Sequence, residues 1–143
     1  MAWKESMRLP PDGVPYVFID GAIVDTERTL DVLARALSLR ELEPSADSVQ
    51  PPVTLGRVAG NLGLNKGETR ELLRAIKNIP DFWRTLEPVE SLPIIEPGTM
   101  LIAYRISGMG YSIARQTIHW LEKYGYNLSD YPVWVQEDER RAS

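Results

Sequence analysis

Lys66, Arg70, Arg74 and Lys77 recur at intervals of three and four residues. On a helix turning about 100° per residue they share one sector, with Glu68 and Glu71 on the far side. A row of cations along a helix can meet phosphates, and guanidinium forks can also reach base edges. Asn65 and Glu71 are candidate base readers in the same stretch, and Thr54 and Arg57 are candidate backbone contacts. The chemistry is recognition of a polyanion without any covalent step. The plainer alternative is a charged face turned to water.

Covalent chemistry finds little support. His119 is the sole histidine and cysteine is absent, so multi-histidine and thiolate metal sites are excluded. Ser112 stands seven residues before His119, on the same helical face, but neither lies in a nucleophile context. No carboxylate pair stands out. Neither an enzyme nor a cofactor is expected.

The elements that would carry the cationic row are two helices joined by a tight turn. Thr54 caps the first, whose apolar side is Leu55, Val58, Ala59 and Leu62. Gly63 supplies a left-handed stop, and Leu64 returns to the core. Asn65 caps the second helix, with Glu68 completing a capping box. Thr69, Leu72, Leu73 and Ile76 form its buried stripe.

This stretch, Thr54 to Asn78, resembles the helix-turn-helix of DNA-binding regulators. Ala59 stands at the close approach of the helices, Gly63 at the turn and Leu64 at the core plug. Thr69 departs mildly from the apolar residue usual in the second helix. The resemblance implies that helix 66–78 lies in the major groove of duplex DNA. Lys66, Arg70 and Arg74 would then reach phosphates or guanine edges. One short helix reads few base pairs, so a homodimer is expected.

The chain has 143 residues, 43% of them hydrophobic and 25% charged, which is ordinary for a globular protein. No apolar run approaches a membrane span and the N-terminus lacks a secretory pattern, so a cytoplasmic location is expected. Net charge is −4 and the pI is about 5.1. That balance disfavours indiscriminate coating of nucleic acid. Between Thr54 and Asn78, however, five basic residues face two acidic ones. Such asymmetry suits an oriented DNA binder and equally a module that docks an acidic protein.

Residues 1–15, with Pro10, Pro11 and Pro15, read as an irregular arm. Two β-prone runs in 16–25 flank Asp20-Gly21 and predict an N-terminal β-hairpin. The same segment resembles the opening motif of haloacid-dehalogenase phosphatases, but their nucleophile position holds Phe18. A benzyl group cannot attack phosphorus, so phosphatase chemistry is rejected. A helix capped by Asp25 or Thr26 is expected to run to about Glu43, burying Leu30, Leu33, Ala34 and Leu37, before a loop over 44–53. Asp81 to Leu86 fits a helical turn and a strand alike, with Phe82 and Trp83 in the core. Two strands, Leu92–Ile95 and Met100–Ile106, flank Glu96-Pro-Gly-Thr99 as a second hairpin. With a short strand at Val53 closing the loop over 44–53, helix, short strand, helix, helix and hairpin is the order of a winged helix.

Beyond Ile106, a helix over 111–124 and a strand over 131–135 are expected, followed by a fraying charged tail. Ser107-Gly-Met-Gly-Tyr-Ser112 between strand and helix resembles a dinucleotide-binding turn. Ile113 occupies its third glycine position, so glycines easing a strand-to-helix turn are the preferred account. Ala114 to Leu121 also resembles the recognition helix of transposase-like regulators, without a proper preceding helix. A packing helix is preferred, with Trp120, Tyr124 and Tyr126 as candidate interface anchors.

The expectation is an α+β protein with a winged helix-turn-helix-like domain over 16–106, an irregular arm over 1–15, and a C-terminal helix–strand appendage over 107–143. Its expected function is sequence-specific binding of double-stranded DNA, in transcription control or in plasmid or phage maintenance. The alternative is a non-enzymatic adaptor, inhibitor or assembly subunit that uses the same helices to bind a protein.

Overall fold

The computed structural model describes residues 10–37, 54–106, 110 and 112–137, with Glu137 described through its backbone. Three parallel strands form one sheet in the order β1 (Tyr16–Phe18), β2 (Met100–Arg105), β3 (Val133–Glu137). Tyr16 pairs with Met100, and Leu101 with Val133. Among the described residues, five helical segments accompany the sheet: α1 (Ile19–Ala22, a distorted single turn), α2 (Thr26–Ala36), α3 (Leu55–Asn61), α4 (Lys66–Lys77) and α5 (Ile113–Lys123). A short 3-10 turn covers Phe82–Arg84. The protein is therefore mixed α and β, as expected, and its sheet is parallel.

β2 is central because it can be covered on both faces. Leu101 to Ile106 are all buried, and a strand buried on both sides reads as a continuous apolar run rather than an alternation. β2, α5 and β3 make a βαβ unit, since a parallel neighbour needs a crossover element. α5 begins where the Ser112 hydroxyl accepts from the Arg115 N–H, and it buries Ile113, Gln116, Thr117, Trp120 and Leu121. Trp120 donates through Nε1 to the Leu86 carbonyl at 2.8 Å.

Both expected hairpins are replaced. After β1, the chain turns at Gly21 (φ 88°), and Val24 forms isolated bridges with Asp20 and Pro88 instead of folding back on β1. Phe18, Ile19, Ile23 and Val24 are all buried, so the segment lacks the half-exposed alternation of a hairpin. The turn at Glu96–Thr99 does form, with Thr99 N–H donating to Glu96 O. Leu92–Ile95, however, is extended chain outside any strand: the Pro93 and Ile95 carbonyls accept from Tyr126 and Tyr131 hydroxyls. The partners of β2 are β1 and β3, so no wing is built on it among the described residues. β3 is accordingly an integral strand of the sheet and not an appendage to it.

The helices between β1 and β2 follow their local signals. The Asp25 carboxylate accepts from the Arg28 N–H and starts α2, which buries Leu30 and Ala34. Leu37, expected in that buried face, is 40% exposed at the helix end. The expected continuation to Glu43, the loop over 44–53, residues 1–9 of the expected arm and the charged tail lie outside the described residues. Residues 10–15 are irregular, as expected. Phe82 and Trp83 are core residues, and the ambiguous 81–86 segment resolves as the 3-10 turn.

Candidate nucleic-acid interface

The α3–α4 pair is built by short-range interactions. The Thr54 hydroxyl accepts from the Arg57 N–H at 3.3 Å and caps α3. Leu55, Val58, Ala59 and Leu62 are buried. Gly63 has φ 88°, a conformation that costs an L side chain free energy, and Leu64 N–H donates back to the Ala59 carbonyl. Leu64 then points into the core. Asn65 Oδ1 accepts from the Glu68 N–H at 2.8 Å, while Glu68 Oε1 accepts from the Asn65 N–H at 2.9 Å. This reciprocal box satisfies two backbone donors that the first turn would otherwise leave open.

Leu72 and Ile76 anchor α4 by complete burial, each removal of such a side chain from water contributing about 1.5–3 kcal/mol. Their burial turns the opposite side outward. Lys66, Arg70 and Arg74 are exposed, and Lys77 is half-buried. Among the described residues these four cations have no carboxylate ion pair. By contrast, Arg35 on α2 meets Asp31 at 3.2 Å one turn away. On α4 the positions one turn apart carry like charge: Lys66 with Arg70, and Arg70 with Arg74. Such pairs weaken an isolated helix by about 0.2–0.5 kcal/mol each.

The remaining sequence-derived candidates divide. Glu71 is exposed and Arg57 is half-buried. Thr54 is 3% exposed with its hydroxyl used by the cap, so it presents little surface to a phosphate. Asn65 is exposed, but its Oδ1 is already an acceptor within α4, and bidentate reading of adenine needs both ends of the amide. These two residues shape the helices rather than the contact surface. Trp120 and Tyr126 are buried within the chain itself, which removes them as interface anchors, and Tyr124 is half-buried. His119 is exposed, and Ser112 serves as the α5 cap.

Sequence reasoning missed the constellation at the carboxyl ends of β1 and β2. Arg105 donates to Asp20 at 2.7 Å, Thr26 donates to the other carboxylate oxygen, and the guanidinium lies 4.4 Å from the Trp83 ring centroid. In open α/β sheets this edge is the usual ligand crevice. In this chain the edge is closed: Asp20 and Arg105 are 4% and 1% exposed and neutralise each other. A group of three or more metal-ligating side chains is absent among the described residues. The only signal for the pair was a lone aspartate beside Gly21 and a lone arginine ending an apolar run.

No described helix is long and apolar enough to cross a membrane. Comparison with protein-family models, with curated proteins and with solved structures returned no match.

Proposed function

We propose that the protein binds double-stranded DNA as a homodimer, with α3 and α4 acting as a helix-turn-helix and α4 entering the major groove. The observation that carries this reading is the exposed row Lys66, Arg70 and Arg74, held at like-charge spacing on a rigidly capped helix. The like-charge spacing weakens the helix between Lys66, Arg70 and Arg74, and only the last-turn cations Arg74 and Lys77 are offset by the helix dipole. A polyanion would reverse the sign of that effect. Lys77 continues the row, Arg57 is the candidate backbone contact on α3, and the exposed Glu71 is the candidate acceptor for a cytosine amine.

One observation favours a second reading, in which the same face docks an acidic protein. Among the described residues, the parallel pairing of β2 builds no wing that would hold a second stretch of backbone. This reading makes the protein a non-enzymatic adaptor, inhibitor or assembly subunit.

Fluorescence anisotropy of a labelled random duplex, titrated at several salt concentrations, separates the two. Affinity is expected to fall steeply with salt, and Arg70→Ala and Arg74→Ala are each expected to reduce the slope of log K against log salt by about 1. No duplex binding at low salt, or a slope indifferent to both substitutions, overturns the DNA reading.

A further inference from the structure

Away from α4, the segment from Glu87 to Thr99 displays an apolar ridge without being a strand. Its backbone is pinned at close intervals. Asp25 N–H donates to Glu87 O, Val89 N–H to Ile23 O, and Gly98 N–H to Asp130 O. The Tyr126 hydroxyl donates to Pro93 O at 2.7 Å and the Tyr131 hydroxyl to Ile95 O at 2.6 Å, the two rings standing 5.7 Å apart. Ile94 lies between those two held carbonyls and projects completely into solvent, at 103% relative exposure. Leu92, the residue before Pro93, and Leu128, two residues after Tyr126, are also exposed.

A single exposed isoleucine carries little meaning. Leu92 and Ile94 on a backbone held at neighbouring carbonyls are different, because little ordering entropy remains to be lost when a partner covers them. The charges around the ridge select that partner. Glu87, Glu90, Glu96 and Asp130 are exposed, and no lysine or arginine occurs between Thr85 and Tyr104 or between Tyr124 and Gln136.

We infer that this ridge docks a second, different protein, through an apolar pocket rimmed by lysine or arginine. Ile94 enters the pocket, and Glu90, Glu96 and Asp130 meet the basic rim. Nucleic acid and anionic lipid are repelled by the same acids. A symmetric contact with another copy of this chain would set acid against acid. The hydrogen bonds that hold the ridge use no residue of α4, so it operates whether or not α4 binds DNA.

The test uses the full chain and three labelled peptides: the basic amphipathic LKKLLKLLKKLLKL, its counterpart with glutamate for lysine, and its counterpart with serine for leucine. Anisotropy at near-physiological salt is expected to show binding of the first alone, weakened about tenfold or more by Ile94→Asp and restored by Ile94→Leu. Because Ile94 touches solvent only, circular dichroism and duplex binding of Ile94→Asp should match the unaltered chain. Absence of binding, equal binding of the acidic or serine peptide, or indifference to Ile94→Asp overturns the proposal. So does sedimentation velocity in which Ile94→Asp dissociates a dimer, which would assign the ridge to a second copy.

Discussion

Arg105 and Asp20, 85 positions apart in sequence, are joined by a 2.7 Å charge-assisted hydrogen bond inside the protein. Thr26 completes the carboxylate, while Arg105 Nε and Trp83 Nε1 are buried without hydrogen-bond partners among the described residues. Removing one member of such a pair strands the other charge in a medium that solvates it poorly. Asp20→Ala and Arg105→Ala are each expected to lower unfolding free energy by about 3–5 kcal/mol. The double replacement Asp20→Leu with Arg105→Met should recover much of that loss. Urea denaturation of the three variants checks this; additive losses in the double variant would rule out the pair as a coupled unit.

Asn65 has a capping role that can be separated from base reading. Asn65→Ala should cost about 1 kcal/mol through loss of the N-terminal cap of α4, and Asn65→Asp or Asn65→Ser should retain most of the stability. If Asn65→Ser keeps stability but abolishes duplex binding, the amide does read a base after all.

At the turn between α3 and α4, Gly63 holds φ 88°. Gly63→Ala should destabilise the protein by about 1 kcal/mol, and Gly63→Asn by less, because asparagine tolerates the left-handed region better. Thermal melts of the two variants give the order directly.

Tyr126 is expected to make stability fall in alkali. Burial raises the pKa of its hydroxyl above the ordinary tyrosine value of 10.0, and the nearby Tyr131 adds to the rise. The folded state thus holds this proton more tightly than the unfolded chain does. The contribution is complete below pH 10.0 and is lost as pH rises through the higher folded value. Tyr126→Phe should remove the hydrogen bond to Pro93 and flatten that alkaline decline. Denaturation midpoints measured across the alkaline range test the sign.

What could be read from the sequence follows the range of the interactions. Thr54, Gly63, Leu64 and the Asn65–Glu68 box act within a few residues, and α3 and α4 begin and end where those residues place them. The exposure of Lys66, Arg70 and Arg74 follows from the same periodicity. Sheet topology did not follow, because pairing of Tyr16 with Met100 is decided by distant packing. The Pro97-Gly98 turn suggested a hairpin and exists without one. A better guide was the unbroken apolar run Leu101 to Tyr104, which belongs to a strand covered on both sides. The Asp20–Arg105 contact had no local signature, since each residue is ordinary until the strands align.

The placement of β1 and β2 at opposite ends of the helical stretch also governs how the chain comes together during synthesis. Tyr16 to Phe18 leave the ribosome long before Met100 to Ile102, their strand partners in the sheet. The helices in between can consolidate early through neighbours in sequence, whereas closure of the sheet waits for a distant segment. A nascent polypeptide stalled before Met100 would hold Phe18 and Ile19 uncovered, a stretch on which chaperones or aggregation can act.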